Sequence, residues 1–166
     1  KNKMKKILLI LFFCATISVK AQDFKVGGGL TLGTEASIDD DGTGKSALGI
    51  NARGVYKINE KWGVTAGFTY FFSDAPEPVD LTLYQFNFDG IYSFVKNDVI
   101  DFYSLLGFDL GYANIENTDN LNSIDDSQVG LDIGIGIITE YGIFFEAKAE
   151  GAFDQGQFTL GYLFKL

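Results

Sequence analysis

The last nine residues of the chain alternate between two chemistries. Positions 158, 160, 162, 164 and 166 are Phe, Leu, Tyr, Phe and Leu, and between them stand Thr159, Gly161, Leu163 and Lys165. A period of two is the period of a β-strand, whose successive side chains point to opposite faces. Seven earlier segments carry the same pattern. Together the eight apolar sets are every second residue of Phe24–Leu32, Leu48–Ile58, Trp62–Phe72, Thr82–Phe94, Ile100–Tyr112, Val129–Ile137, Ile143–Phe153 and Phe158–Leu166. That set holds no charged side chain, and its only hydroxyl-bearing aliphatic members are Thr82 and Ser104. Random placement at the chain's charged fraction of 21% would put about ten charges there, so the pattern outweighs the freedom of choosing each strand's phase.

The charges fall on the other face. Lys25, Arg53, Lys57, Asp89, Asp101, Asp109, Asp132, Glu146, Lys148, Glu150 and Lys165 occupy the alternate phase, with Asn51, Gln85 and Asn87. Apolar outside and polar inside inverts the order of a water-soluble barrel or sandwich. Hydrocarbon satisfies no backbone hydrogen bond, so strands cross it only as a closed sheet. The sequence thus predicts an all-β, eight-stranded antiparallel up-and-down transmembrane barrel. Its strands are expected at 24–33, 47–58, 62–72, 81–94, 100–113, 128–138, 142–153 and 157–166. Most match or exceed the roughly 9–11 residues that a tilted membrane strand needs.

The N-terminal segment is expected to be removed. Lys1, Lys3, Lys5 and Lys6 precede an apolar run, Ile7–Ile17, and Val19 and Ala21 stand at −3 and −1 of a cut before Gln22. That reads as a signal peptide over 1–21 and a barrel domain over 22–166. The apolar run falls short of the roughly 20 residues of a membrane-spanning helix. Cys14, the single cysteine, lies in the leader, so the exported chain has no disulfide to stabilise it. The leader also takes five of the thirteen bases and none of the twenty-two acids, which leaves a net charge of −14. So acidic a chain lacks the basic footprint of a nucleic-acid binder.

Aromatic residues give each strand a direction. If the first strand leaves the periplasmic rim, that rim receives Phe24, Tyr56, Trp62, Tyr92, Phe94, Phe102, Tyr162 and Phe164. The outer rim receives Tyr70, Phe72, Tyr84, Tyr112, Phe153 and Phe158. Two aromatic girdles mark two membrane interfaces, although Phe68, Phe86, Phe88, Phe108 and Phe145 fall between them. Connections at 59–61, 96–99 and 139–141 are short. Those at 34–46, 73–80 and 115–127 are expected to be long outer loops, with 154–156 as a short one.

This pattern resembles the small bacterial outer-membrane barrels of the OmpA/OmpX type, often described as porin-like β-barrel domains. The resemblance covers nearly all of the chain after the leader and includes the aromatic-rich final strand, Phe158–Leu166. It implies residence in the outer membrane of a Gram-negative cell among lipid and lipopolysaccharide. It also implies assembly by the barrel-assembly machinery, and a monomer is expected. Family barrels usually end on an aromatic residue, whereas this chain ends on Leu166 with Phe164 two places earlier.

The chain has no histidine, which excludes a Ser–His or Asp–His hydrolase. No acid–base constellation or cofactor motif stands out, so no enzyme activity and no cofactor are expected. Two regions remain for function. Arg53, Asp89, Asp109, Asp132, Glu146, Lys148 and Glu150 are expected to share the middle and upper lumen, where buried charges need partners. They form either a polar plug or a narrow, cation-favouring water path, and the small interior of an eight-stranded barrel favours the plug. The outer loops are acidic and available for surface contact. Within them Asp39 and Asp41 faintly resemble a calcium loop, but the later bidentate Glu is missing. Divalent-ion contact beside lipopolysaccharide is the alternative to a solvated loop there.

Overall fold

The computed structural model describes residues 24–38, 43–117 and 122–166. The expected signal peptide at 1–21, together with Asp39 and Asp41, lies outside these residues. Eight strands follow in order: β1 (Phe24–Ile38), β2 (Gly44–Lys57), β3 (Trp62–Phe71), β4 (Val79–Lys96), β5 (Ile100–Asn117), β6 (Asn122–Thr139), β7 (Ile143–Glu150) and β8 (Gln155–Lys165). Each pairs antiparallel with its neighbours in sequence, and β1 pairs with β8 to close the barrel. Closure leaves no sheet edge facing hydrocarbon, as a spanning sheet requires.

The parity of the sequence becomes the two faces of this wall. Outward residues include Leu30, Leu106, Leu131, Ile133, Ile135 and Leu160, each 59–75% exposed. Inward residues include Thr31, Gln85, Asp109 and Asp132, each fully buried. Bulky inward side chains fit because they lie over glycines of the next strand. Gly136 stands beside Tyr103 in the β5–β6 register, and a Cβ there would fall 2.3 Å from the Tyr103 ring. Gly161 likewise receives the edge of Phe144.

The turns at one end are built on asparagine. Asn59 Oδ1 accepts hydrogen bonds from the backbone N–H groups of Lys61 and Trp62, and Asn97 Oδ1 accepts from those of Val99 and Ile100. A short amide side chain that folds back on its own backbone fixes a tight reversal. The third turn places Gly142 at φ +92°, where a side chain would be strained. Both ends of the barrel sequence lie on this side, the turn end.

The opposite, loop end departs from expectation. The long connections anticipated at 34–46 and 115–127 are largely strand. β1 continues to Ile38 and pairs with Gly44, and β5 pairs with β6 out to Asn117↔Asn122. β4 reaches Val79 and joins the same extension through Val79↔Asn117. These segments hold together because they have an apolar core of their own. Ala36, Ala47, Phe71, Leu81 and Leu83 are buried there, with Ile38, Ala75, Ala113, Ile115 and Phe153 against them. β7 is shorter than expected. Glu150 Oε1 accepts from the N–H groups of Ala152 and Phe153, which ends the strand and reverses the chain.

Candidate functional site

The lumen is layered. At the turn end it opens into a cavity of about 510 Å³ whose lining includes Lys25, Lys57, Lys96, Asp101 and Lys165. Lys57 and Asp101 form an ion pair at 2.8 Å. Above it Val55, Ile91, Tyr103, Leu105, Ile138, Phe144 and Leu163 close the lumen with an apolar layer. The remaining void at this level is about 10 Å³, room for about one water molecule. A polar band follows, and the apolar core of the loop-end extension closes the lumen again beyond it.

The polar band holds all seven of the charges expected in the lumen. Arg53, Asp89, Asp109, Asp132, Glu146, Lys148 and Glu150 are each at most 7% exposed. They divide into two groups. In the first, the Arg53 guanidinium binds Glu146 with both arms, at 2.8 and 2.9 Å. Its Nε donates to Asn51 Oδ1, and Asn51 donates to Thr69 Oγ1. The guanidinium also lies 4.5 Å over the Phe144 ring. Tyr103 completes the group by donating to Glu146 Oε2 at 2.8 Å. The paired geometry is the kind that compensates burial of two charges.

The second group is rich in acid. Lys148 Nζ meets Asp132 Oδ2 at 2.9 Å. Asn87 donates to Asp89 Oδ2 at 2.6 Å. Several acceptors here remain unmatched: Asp89 Oδ1, Asp132 Oδ1, Glu150 Oε2 and both oxygens of Asp109 are buried without a hydrogen-bond partner. One oxygen each from Asp109, Asp132 and Glu150 lies within 4.8 Å of the others. Register explains the convergence. Asp109 pairs with Gly130, and Asp132 pairs with Gly107. Asp109 and Asp132 thus each stand opposite a glycine; Asp89 Oδ1 and the β4 backbone fill the space over Gly107, and the Gly151–Ala152 backbone fills that over Gly130.

Sequence reasoning did not single out Tyr103 for the site, nor the pairing of Gln85 and Gln157 across the lumen at 2.7 Å. Tyr103 does stand in the inward phase of β5, which is the one signal it carries. Its partner lies 43 residues away, and no local pattern specifies that distance.

The aromatic side chains expected at the turn end lie on the outer wall. Trp62 packs on Tyr92, Phe94 on Phe102, and Tyr162 on Phe164, while Phe24 pairs in register with Tyr56. At the loop end Tyr84 stacks on Tyr112, Tyr70 meets Phe72, and Phe158 is exposed. Phe153 is a correction. It falls in the turn after Glu150 and points inward over Gly111, packed against the apolar core of the extension.

A closed barrel with an apolar outer wall, aromatic rims and a charged, filled lumen is a transmembrane β-barrel. The chain belongs to the outer membrane protein beta-barrel domain family, whose model matches residues 7–161, and it is an integral protein of the bacterial outer membrane. Among solved structures it is similar to Neisserial surface protein A, at 15% identity and TM-score 0.64, covering 87% of this chain and 97% of that one. It is similar also to Ail, the attachment invasion locus protein of Yersinia pestis, solved with the heparin analogue sucrose octasulfate. That match has 22% identity and TM-score 0.60, over 85% and 97% of the two chains. The N-terminal β-barrel domain of Pseudomonas aeruginosa OprF matches at 14% identity and TM-score 0.58, over 86% and 98%. At these identities the likeness is one of fold. No curated protein sequence matches the chain.

Proposed function

We propose that the protein is a non-conducting outer-membrane barrel whose loop end faces outward and makes surface contacts with cationic partners. In this reading residues 1–21 direct export, the assembly machinery recognises the final strand, and the mature protein is a monomer among lipopolysaccharide. The observation that carries the proposal is the extension of β4, β5 and β6 past the loop-end aromatic rim. Beyond Tyr84 and Tyr112 these strands run on to Val79 and Asn117. Asp80, Glu116, Asp125 and Asp126 are exposed there, and Glu35, Asp74, Glu77 and Asp154 are exposed at the same end, with Lys45 as the opposing base among the described residues. A rigid surface of one sign steers and holds a partner of the other. The heparin analogue bound to Ail is a polyanion, and an acidic end of this kind disfavours such a ligand here.

A narrow cation-favouring channel is the second reading, and it draws on the excess of acids in the polar band. The two apolar layers and the void of about 10 Å³ between the mouth and the band favour the closed barrel.

The test uses the protein in lipid nanodiscs with polylysine as the probe. The variant Asp80→Asn/Glu116→Gln/Asp125→Asn/Asp126→Asn is expected to bind polylysine at least about tenfold more weakly, with a shallower salt dependence. Equal affinity in the two proteins would refute the surface role.

A further inference from the structure

We infer that the second luminal group is a binding site for one divalent cation of calcium's size, held by Asp109 of β5, Asp132 of β6 and Glu150 of β7. Three observations meet there. The three carboxylates each offer an oxygen within 4.8 Å of the others. Asp109 is fully buried against Glu150 and the Ala152 N–H with no well-aligned donor on either oxygen, and Asp132 Oδ1, beside Asp89, and Glu150 Oε2 likewise lack one. The third observation is charge. Across the polar band five carboxylates face the two bases Arg53 and Lys148, and Arg53 is already committed to both oxygens of Glu146. Lys148 is left to offset Asp89, Asp109, Asp132 and Glu150, and it reaches one oxygen of Asp132. Buried carboxylates without compensation are strongly unfavourable. A bound divalent ion supplies the missing charge and satisfies the free oxygens together.

The chemistry of the donors selects the ion. All three are carboxylate oxygens, which suit hard cations. Calcium binds oxygen at about 2.3–2.6 Å, so ligands on opposite sides of it stand about 4.6–5.2 Å apart; magnesium, at about 2.0–2.1 Å, spans only about 4.2 Å. Oxygens within 4.8 Å of one another can surround calcium, and a site built of protein carboxylates suits it better than magnesium, which keeps several waters. The ligands sit on three consecutive strands, so the sheet holds them in place. Glu150 is further fixed by the N–H groups of Ala152 and Phe153, which bind Oε1 and leave Oε2 free. The turn Gly151–Asp154 covers the site, with Ala152 packed so closely on Gly130 that a Cβ there would meet its nitrogen at 2.0 Å.

The experiment is calcium titration of the refolded, EDTA-treated full barrel in detergent micelles, followed by calorimetry and by thermal unfolding. The wild type is expected to take up one Ca²⁺ per chain with a dissociation constant on the order of 10⁻⁴ M or tighter. Its unfolding temperature should rise by roughly 5 °C or more at saturation, with a smaller response to Mg²⁺. Asp109→Asn removes a buried charge without changing shape. Stripped of metal, it should be at least as heat-resistant as the stripped wild type, yet show no calcium response. Glu150→Gln keeps an acceptor for the turn and should also lose the response. Asp39→Asn/Asp41→Asn, in the acidic loop, should retain it. An EDTA-treated wild type with no saturable uptake overturns the site and leaves the acids to share protons instead. Uptake that survives Asp109→Asn and Glu150→Gln but disappears in the loop variant overturns it as well.

Discussion

The hydroxyl of Tyr103 donates to Glu146 across the bare backbone of Gly136, which lies between the two residues in the registers of β5–β6 and β6–β7. The glycine is what allows the reach. A Cβ on Gly136 would fall 2.3 Å from Tyr103 Cζ, so Gly136→Ala must push the ring aside and break the hydrogen bond. Overpacking of this kind costs about 1–3 kcal/mol, measured as urea unfolding of the refolded barrel. Gly90→Ala is the control. Its Cβ meets nothing nearer than 3.6 Å on the outer wall, and the stability change should stay within about 0.5 kcal/mol.

Glu146 also receives both arms of Arg53, so the two charges depend on each other. Glu146→Gln leaves a buried guanidinium with a neutral partner, and the loss should be about 3–5 kcal/mol. Arg53→Met alone leaves the carboxylate with Tyr103 as its remaining donor and should cost a similar amount. The double variant should cost clearly less than the two losses together, because neither charge is then stranded. A double-mutant cycle on unfolding free energies reads this directly, and strict additivity would show that the pair contributes nothing.

The barrel itself was legible because its two faces differ in charge and the strand period is two. Inward placement of Asp109 or Lys148 needed nothing beyond counting. Strand ends were less legible. Asp125 and Asp126 looked like loop, since acids in a run deplete strand propensity, and the pairing of β5 with β6 overrode that preference. Phe153 kept the phase of β7 on paper. A hydrogen bond from its own N–H to Glu150 ended the strand and turned the ring inward. The grouping of Asp109, Asp132 and Glu150 depends on the register between three strands. Register is fixed by turns and by side-chain fit across the sheet, so it cannot be counted off one strand at a time.

Two isoleucines on β6 are almost equally exposed, Ile133 at 62% on the outer wall and Ile124 at 66% opposite Ile115 on the inward-phase face of the extension. Their surroundings differ. Ile133 lies in the row of Leu106 and Gly90, midway between the aromatic rims, and Ile124 lies beyond Tyr112 on the extension. Arginine at the bilayer midplane of a barrel costs about 2–4 kcal/mol, falling to about 0–1 near the interface. Ile133→Arg should therefore lower the unfolding free energy in lipid by about 2–4 kcal/mol, and Ile124→Arg by less than about 1 kcal/mol. Equal effects would place the hydrocarbon boundary somewhere other than the aromatic rims.

Ile91 and Leu105 face each other across β4 and β5 in the lower apolar layer, each 2% exposed. Water entering the lumen from the turn end must pass this layer to reach the polar band. A close-packed apolar layer with a void of about 10 Å³ gives an ion nothing to replace its hydration shell, and such a hydrophobic constriction blocks conduction. The wild type should produce no discrete openings in planar bilayers. Ile91→Ser/Leu105→Ser hydrates the layer and shortens both side chains. It should yield brief, cation-selective openings, since the band beyond carries more carboxylates than bases. Discrete channels from the wild type would show that the lumen is open and that the acids of the polar band line a path.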